Sequence, residues 1–248
     1  MARVLITGAG SGLGAALATQ CMAQTAAEVT ALDLAPGKPG PHWVVHDMAA
    51  RDSCIWSGLA QDLRARGPFD LVILNAGINA TGPFENVALD AHQAVTAVNL
   101  HGPIRLTHML LAEELLAPHG RLVFVASLSC FTGYPGAASY AASKDGLASF
   151  ARALRRPLRK SGNICVQLVC PGPMDTPHAA QHAPKEAKAD RRLAPGIVAQ
   201  KVLDASRSKF LIVPGFGATM AAALGRLFPQ TMTRIMGRVL FQRLKARP

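Results

Sequence analysis

In the stretch Tyr140-Ala-Ala-Ser-Lys144 a phenol and an amine stand four residues apart, and on a helix that spacing puts them on one face, a turn apart. A phenol ordinarily titrates near 10, so one that exchanges a proton with an alcohol near neutrality needs its pKa lowered by roughly 3 units, about 4 kcal/mol. A nearby cation favours the phenolate and supplies a shift of that sign. Two hydroxyls, Ser127 and Ser129, close an apolar run shortly upstream. Asn99 falls inside a predicted helix, where asparagine is a poor former unless it faces solvent or its amide is put to use. Tyr and Lys at this spacing also occur on ordinary surface helices, so the elements around them must decide.

Those elements alternate between short β-branched apolar runs and helical patterns. Arg3 to Thr7 reads as a strand, Gly8-Ala-Gly-Ser-Gly12-Leu13-Gly14 as a turn, and Ala15 to Met22 as a helix. A glycine turn between strand and helix lets backbone N–H groups approach a pyrophosphate at the positive end of the helix. The next strand, Glu28 to Asp33, ends in an acid. A carboxylate there accepts from the adenosine ribose hydroxyls of NAD and repels the 2′-phosphate of NADP by about 4 kcal/mol at 4 Å and a dielectric near 20. No Lys or Arg lies within the glycine turn or directly after Asp33, which favours NAD over NADP.

A third strand, His42 to His46, leads to Asp47, placed either to reach an adenine edge or to cap the following helix. Residues 52 to 65 are amphipathic. Phe69 to Asn75 is a continuous apolar strand of the kind buried on both faces, and it ends in Asn75-Ala76-Gly77, small enough for a cofactor to lie across the sheet there. A long helix is predicted from about Asn86 to Pro118, then strands at Gly120–Ser127, Ile164–Cys170 and Phe210–Val213. Pro157 should kink or end the helix that starts near Tyr140. The expected architecture is α/β: one doubly wound, mainly parallel sheet flanked by helices.

The 248 residues, half of them apolar and 17% charged, suit one globular domain. Five cysteines, odd in number and without a CxxC, are expected as buried thiols in a reducing compartment, with no disulfide and no metal site. Met1 runs directly into a strand pattern and no apolar run is long enough to span a bilayer, so the expected location is the cytoplasm. The net charge of +11 is concentrated at one end, since residues 205–248 hold eight basic residues and no acidic one. With no nucleic-acid signature beside it, DNA or RNA binding is the weaker explanation.

In order along the chain, Thr7-Gly8-xxx-Gly12-x-Gly14, Asn75-Ala-Gly77, Asn99, Ser127 thirteen residues before Tyr140, Tyr140-xxx-Lys144 and Pro171-Gly172 resemble the short-chain dehydrogenases/reductases over roughly residues 1–215. The resemblance implies a single-domain Rossmann-like fold of about seven strands, assembled as dimers or tetramers through helix contacts. It implies Tyr140 as acid/base, Ser127 positioning the substrate oxygen, Lys144 lowering the Tyr140 pKa and holding the nicotinamide ribose, and Asn99 holding a water in the proton relay behind Lys144. Gly8, Gly12, Leu13 and Gly14 would cradle the cofactor. Asp33 and Asp47 would hold its adenosine end, while Asn75, Ala76, Gly77, Pro171 and Gly172 would line its path. Leu74 and Ala126 depart from residues frequent in the family, and neither change removes a catalytic group.

Residues 173–195 have little periodicity and are expected to cover the substrate as a mobile lid. Leu128, Phe131, Tyr134, Pro173 and Met174, with Ser127 and Tyr140, are the candidate pocket residues, mainly apolar. Residues 1–217 would form the catalytic domain. Residues 218–248 carry apolar positions at helical spacing, divided by Pro229, and would pack on the same domain, on a second subunit, or on anionic lipid. The function that follows is oxidoreduction of an apolar secondary alcohol or ketone with NAD(H). The rivals are an NADP(H)-dependent carbonyl reductase and a non-catalytic, nucleotide-sensing or scaffold protein recruited to a membrane or partner by its basic tail.

Overall fold

The computed structural model describes residues 1–182 and 192–238. Among the described residues seven strands, all parallel, form one sheet in the order β3-β2-β1-β4-β5-β6-β7. They are β1 (Arg3–Thr7), β2 (Glu28–Asp33), β3 (His42–Val45), β4 (Phe69–Leu74), β5 (Leu116–Val125), β6 (Cys165–Val169) and β7 (Leu211–Ile212). The apolar runs are continuous because the inner strands are covered on both faces, as parallel sheets require. On one side lie helices α2 (Ser53–Arg64), α4 (Gly102–Ala112) and α5 (Ala138–Gly162), closing a core around Leu63, Phe69, Leu106, Phe124 and Leu147. On the other, α1 (Gly12–Thr25) packs against α7 (Pro195–Leu203) over Ile6, Leu17, Val123 and Val198.

Strand order reverses between β1, whose chain continues outward to β2, and β4 on its other side. Ligands of such sheets bind in the crevice beyond the carboxyl ends of the strands at that reversal. Thr7 and Leu74, the last paired residues of β1 and β4, stand opposite one another there, so the glycine turn and Asn75 enter the crevice from its two walls.

Three features differ from the sequence expectation. The helix predicted over 86–118 is α3 (Leu89–Thr96), a π-helical segment (Ala97–His101) and α4, and it stops at Ala112. Glu114 takes a left-handed φ of 55° and Leu116 already pairs with Phe69 of β4. The apolar triplet 115–117 follows the edge offered by β4, which local periodicity does not contain. Pro157 does not end α5, which continues to Gly162 and closes on left-handed Asn163. Pro157 is on the exposed side while Ala151 and Leu158 are buried, so water can serve the backbone group that the proline frees. Of the five cysteines, expected to be buried, only Cys21 and Cys170 are; Cys54 is exposed on α2, and Cys130 and Cys165 are half-buried.

After β6 the chain forms α6 (Pro177–His182), and Met174 bridges to Leu193. Of the expected lid, residues 183–191 lie outside the described residues. Two further helices, α8 (Phe216–Leu227) and α9 (Pro229–Met236), follow β7, separated at Pro229 as expected. Gly225 of α8 lies so close to Phe131 and Thr132 that a Cβ there would meet Thr132 Cγ2 at 2.6 Å, and Gly133 faces Thr233 of α9. The tail as far as it is described therefore packs on the loop that follows β5.

Candidate active site

A cleft of about 690 Å³ runs along the carboxyl ends of β1, β2, β4, β5 and β6. At one end, Gly8, Ser11, Gly12 and Leu13 line it where α1 begins. Gly8 and Gly12 take left-handed φ values of 66° and 52°, which glycine adopts without steric cost. Ser11 makes no side-chain cap, and the first turn of α1 holds no acid, so its free N–H groups and positive pole face the cleft. Gly14 does not line the cleft. Its role is packing, because a Cβ there would lie 1.9 Å from the Gly8 carbonyl oxygen. Asn75 Nδ2 donates to the carbonyls of Thr7 and Gly8, and the backbone N–H groups of Asn75 and Ala76 donate to Thr7 Oγ1. These bonds fix the glycine turn against β4.

Asp33, at the end of β2, accepts from Gly10 N at 2.7 Å through Oδ2 and from Leu34 N at 2.7 Å through Oδ1. Its carboxylate is thereby held at the rim of the cleft. Asp47 also lines the cleft and accepts from Ala49 N. It does not cap α2, a task performed by Asp52, which accepts from Cys54 N. Between them His46 is buried with its ring edge-on to Trp56, and burial pushes its pKa below the ordinary histidine value. Among the described residues lining the cleft, the only Lys or Arg side chains are Lys144 and Arg192. A glycine cradle, a helix pole and a terminal carboxylate fit a dinucleotide.

At the other end the strand β5 stops at Val125, and Ser127, Tyr140 and Lys144 converge on the cleft wall. Lys144 is buried, and its ammonium donates to the Val125 carbonyl at 2.9 Å. It lies 5.9 Å from the centre of the Tyr140 ring. Burial holds the Lys144 pKa down at about 8. Burial also pushes the Tyr140 phenol above its ordinary value, with the Ser127 hydroxyl beside it acting in the opposite direction. The residues in place thus move the Tyr140 pKa in the direction opposite to the expected lowering, because desolvation is the largest influence on the buried phenol.

Asn99 is fully buried in the π-helical segment, a form frequent at functional sites. Its Oδ1 accepts from Ile78 N at 2.8 Å, and its Nδ2 donates to Ile78 O at 2.9 Å and Ser143 Oγ at 3.0 Å. Both amide hydrogens are spent on this clamp. The clamp holds Gly77, whose missing Cβ would meet Lys144 Nζ at 3.0 Å and Asn99 Oδ1 at 3.3 Å.

Leu128, Tyr134, Pro171, Gly172, Pro173 and Met174 line the cleft as expected, whereas Phe131 does not. Its ring lies under the Arg226 guanidinium at 4.9 Å, which makes it the seat of α8. Sequence reasoning missed Thr176, Arg192, Ala221, Met232 and Met236, which also line the cleft. Met232 and Met236 belong to the apolar stripe of the tail, but nothing in their spacing says which face turns inward. Ser129, the second hydroxyl at the end of that apolar run, is buried in the wall with no partner for its side chain among the described residues.

The family model for short chain dehydrogenase matches residues 2–187. Ketoacyl reductase HetN from Nostoc sp. is 32% identical over 179 residues, covering 68% of this chain and 62% of that protein, so less than two thirds of that relative is matched. Dehydrogenase/reductase SDR family member 7B of Mus musculus is 29% identical over 258 residues, 94% of this chain and 79% of its own. The crystal structure of a short chain dehydrogenase family protein from Francisella tularensis superposes with a TM-score of 0.79 at 24% identity, over 89% of this chain and 99% of that one. The chain belongs to the short-chain dehydrogenases, NAD(P)-dependent oxidoreductases acting on CH–OH groups. Other chains of this fold are complexed with NADP or with NADH, so the fold alone leaves the choice of cofactor open.

Proposed function

We propose that the protein interconverts an apolar secondary alcohol and its ketone with NAD(H), Tyr140 acting as the acid/base. The observation that carries this reading is the arrangement of one cleft: a dinucleotide cradle at one end, and Ser127, Tyr140 and Lys144 gathered on the wall at the other. In oxidation, the Ser127 hydroxyl orients the substrate oxygen and the Tyr140 phenolate takes its proton; in reduction the Tyr140 phenol returns that proton. Bound nicotinamide supplies or accepts the hydride, and Lys144, Asn75, Gly77, Pro171 and Gly172 are placed to hold that half of the cofactor. Pro173, Met174, Leu128, Tyr134 and the methionines of α9 give the substrate end an apolar wall.

Asp33 supports NAD over NADP. A 2′-phosphate at the end of β2 would face this carboxylate, which forms no ion pair with either of the two described cations of the cleft, Lys144 and Arg192. As in the family generally, we take the working form to be a homodimer or homotetramer, placed in the cytoplasm. Among the described residues no helix is long and apolar enough to cross a membrane. The assignment is tested by screening secondary alcohols and ketones with NAD(H) and with NADP(H), following absorbance of the reduced cofactor. Turnover confined to NAD(H) is expected. A chain that binds NADH yet turns over no carbonyl across a broad screen would instead favour the nucleotide-sensing scaffold.

A further inference from the structure

Helix α8 has two unlike faces. Ala222 and Gly225 are buried against the loop after β5, and Ala221 turns into the cleft. On the opposite side Phe216, Met220, Leu224 and Leu227 recur at helical spacing, with Phe216 85% and Leu227 70% exposed. Phe228, at the turn into α9, and Ile235, on α9, extend the exposed apolar surface. Isolated exposed apolar residues are ordinary, but six within twenty residues of two adjoining helices are a patch that calls for a cover.

The charge around the patch indicates which cover. Arg234 on α9 and Arg238 just beyond it are exposed, Arg226 of α8 is exposed where it crosses Phe131, and residues 205–248 contain eight bases and no acid. A second copy packed by two-fold symmetry would bring the same patch against itself, setting these arginines against their own copies with no carboxylate from this segment to offset them. An anionic lipid surface offers an apolar interior for the stripe and negative headgroups for the bases. The same helices supply Ala221, Met232 and Met236 to the apolar end of the cleft.

We propose that α8 and α9 dock the protein on anionic bilayers, and that the cleft takes its substrate, a lipophilic alcohol or ketone, from the lipid phase. The docking clause stands by itself; the substrate clause rests on the oxidoreductase reading. The test uses the full chain with sedimenting vesicles of phosphatidylcholine, with or without phosphatidylserine. The expected result is at least about tenfold more pelleting with the anionic vesicles, weakened by salt. A variant carrying Phe216→Ser, Leu224→Ser and Leu227→Ser should lose about tenfold in pelleting while keeping NADH binding and its sedimentation coefficient.

Presented with a long-chain ketone in vesicles, the variant should lose kcat/KM, yet match the wild type on a short water-soluble ketone. Absence of pelleting by the wild type, or equal pelleting by the variant, overturns the docking. So does a wild-type oligomer that the variant dissolves without any vesicle binding, since that identifies a second copy as the cover. If no carbonyl is turned over at all, the enzyme reading fails while the pelleting result still stands.

Discussion

Lys144 carries its amine into a site nearly closed to solvent, and a pH dependence of stability follows. Its folded pKa of about 8 lies below the ordinary 10.5. Between those values the unfolded chain keeps a proton that the folded chain has released, so folding gains as pH rises through that window. Below it the burial cost stands in full, roughly 3 kcal/mol. The unfolding free energy of wild type relative to Lys144→Met should therefore rise between pH 8 and 10.5, measured by urea denaturation; a flat difference would mean that the amine is not desolvated. For chemistry, Tyr140→Phe is expected to cut turnover by about 10²–10⁴-fold while NADH affinity by titration calorimetry changes little. Turnover near wild type would remove the phenol from its assigned role. At the other end of the cleft, Asp33→Ser should raise kcat/KM with NADP relative to NAD by at least about tenfold, because about 4 kcal/mol of repulsion before screening is removed.

Helix α8 is seated by Gly225, where no side chain separates it from Phe131 and Thr132. Gly225→Val should lift the helix from this seat and with it the wall carrying Ala221, Met232 and Met236. The expected signature is a raised KM for an apolar ketone with NADH affinity unchanged, since the cradle at the start of α1 is built from other elements. A parallel fall in cofactor affinity would mean that the two ends of the cleft are not independent. The helix containing Asn99 illustrates how far local pattern reaches. An interior asparagine in a helical run marked a conflict with propensity, and the conflict is settled by a π-helical segment that turns the amide onto Ile78. The end of that helix at Ala112 was not legible, because the partner that draws Leu116 into strand pairing is Phe69, far away in sequence.

The cleft as a whole joins the first turn of the chain to its last described helices, from Gly8 to Met236. If its substrate end is an apolar wall, kcat/KM across a homologous series of 2-ketones should climb about fourfold per methylene, from about 0.8 kcal/mol of transfer free energy each, until the chain outgrows the cleft. A flat series would refute the apolar reading.

Periodicity of two against 3.6, with glycine and acid at strand ends, was enough to give the sheet and its crevice, since those signals are local and each βα unit repeats them, while the grouping of residues around Tyr140 came with the family resemblance. Long-range packing alone decided that Gly14 serves the fit of α1 on the Gly8 carbonyl, that Phe131 seats a helix, and that α9 turns Met232 and Met236 inward. Packing also set the direction in which the pKa values of Tyr140 and Lys144 move, because desolvation depends on what every other part of the chain places around a group, and neither spacing nor composition carries that information.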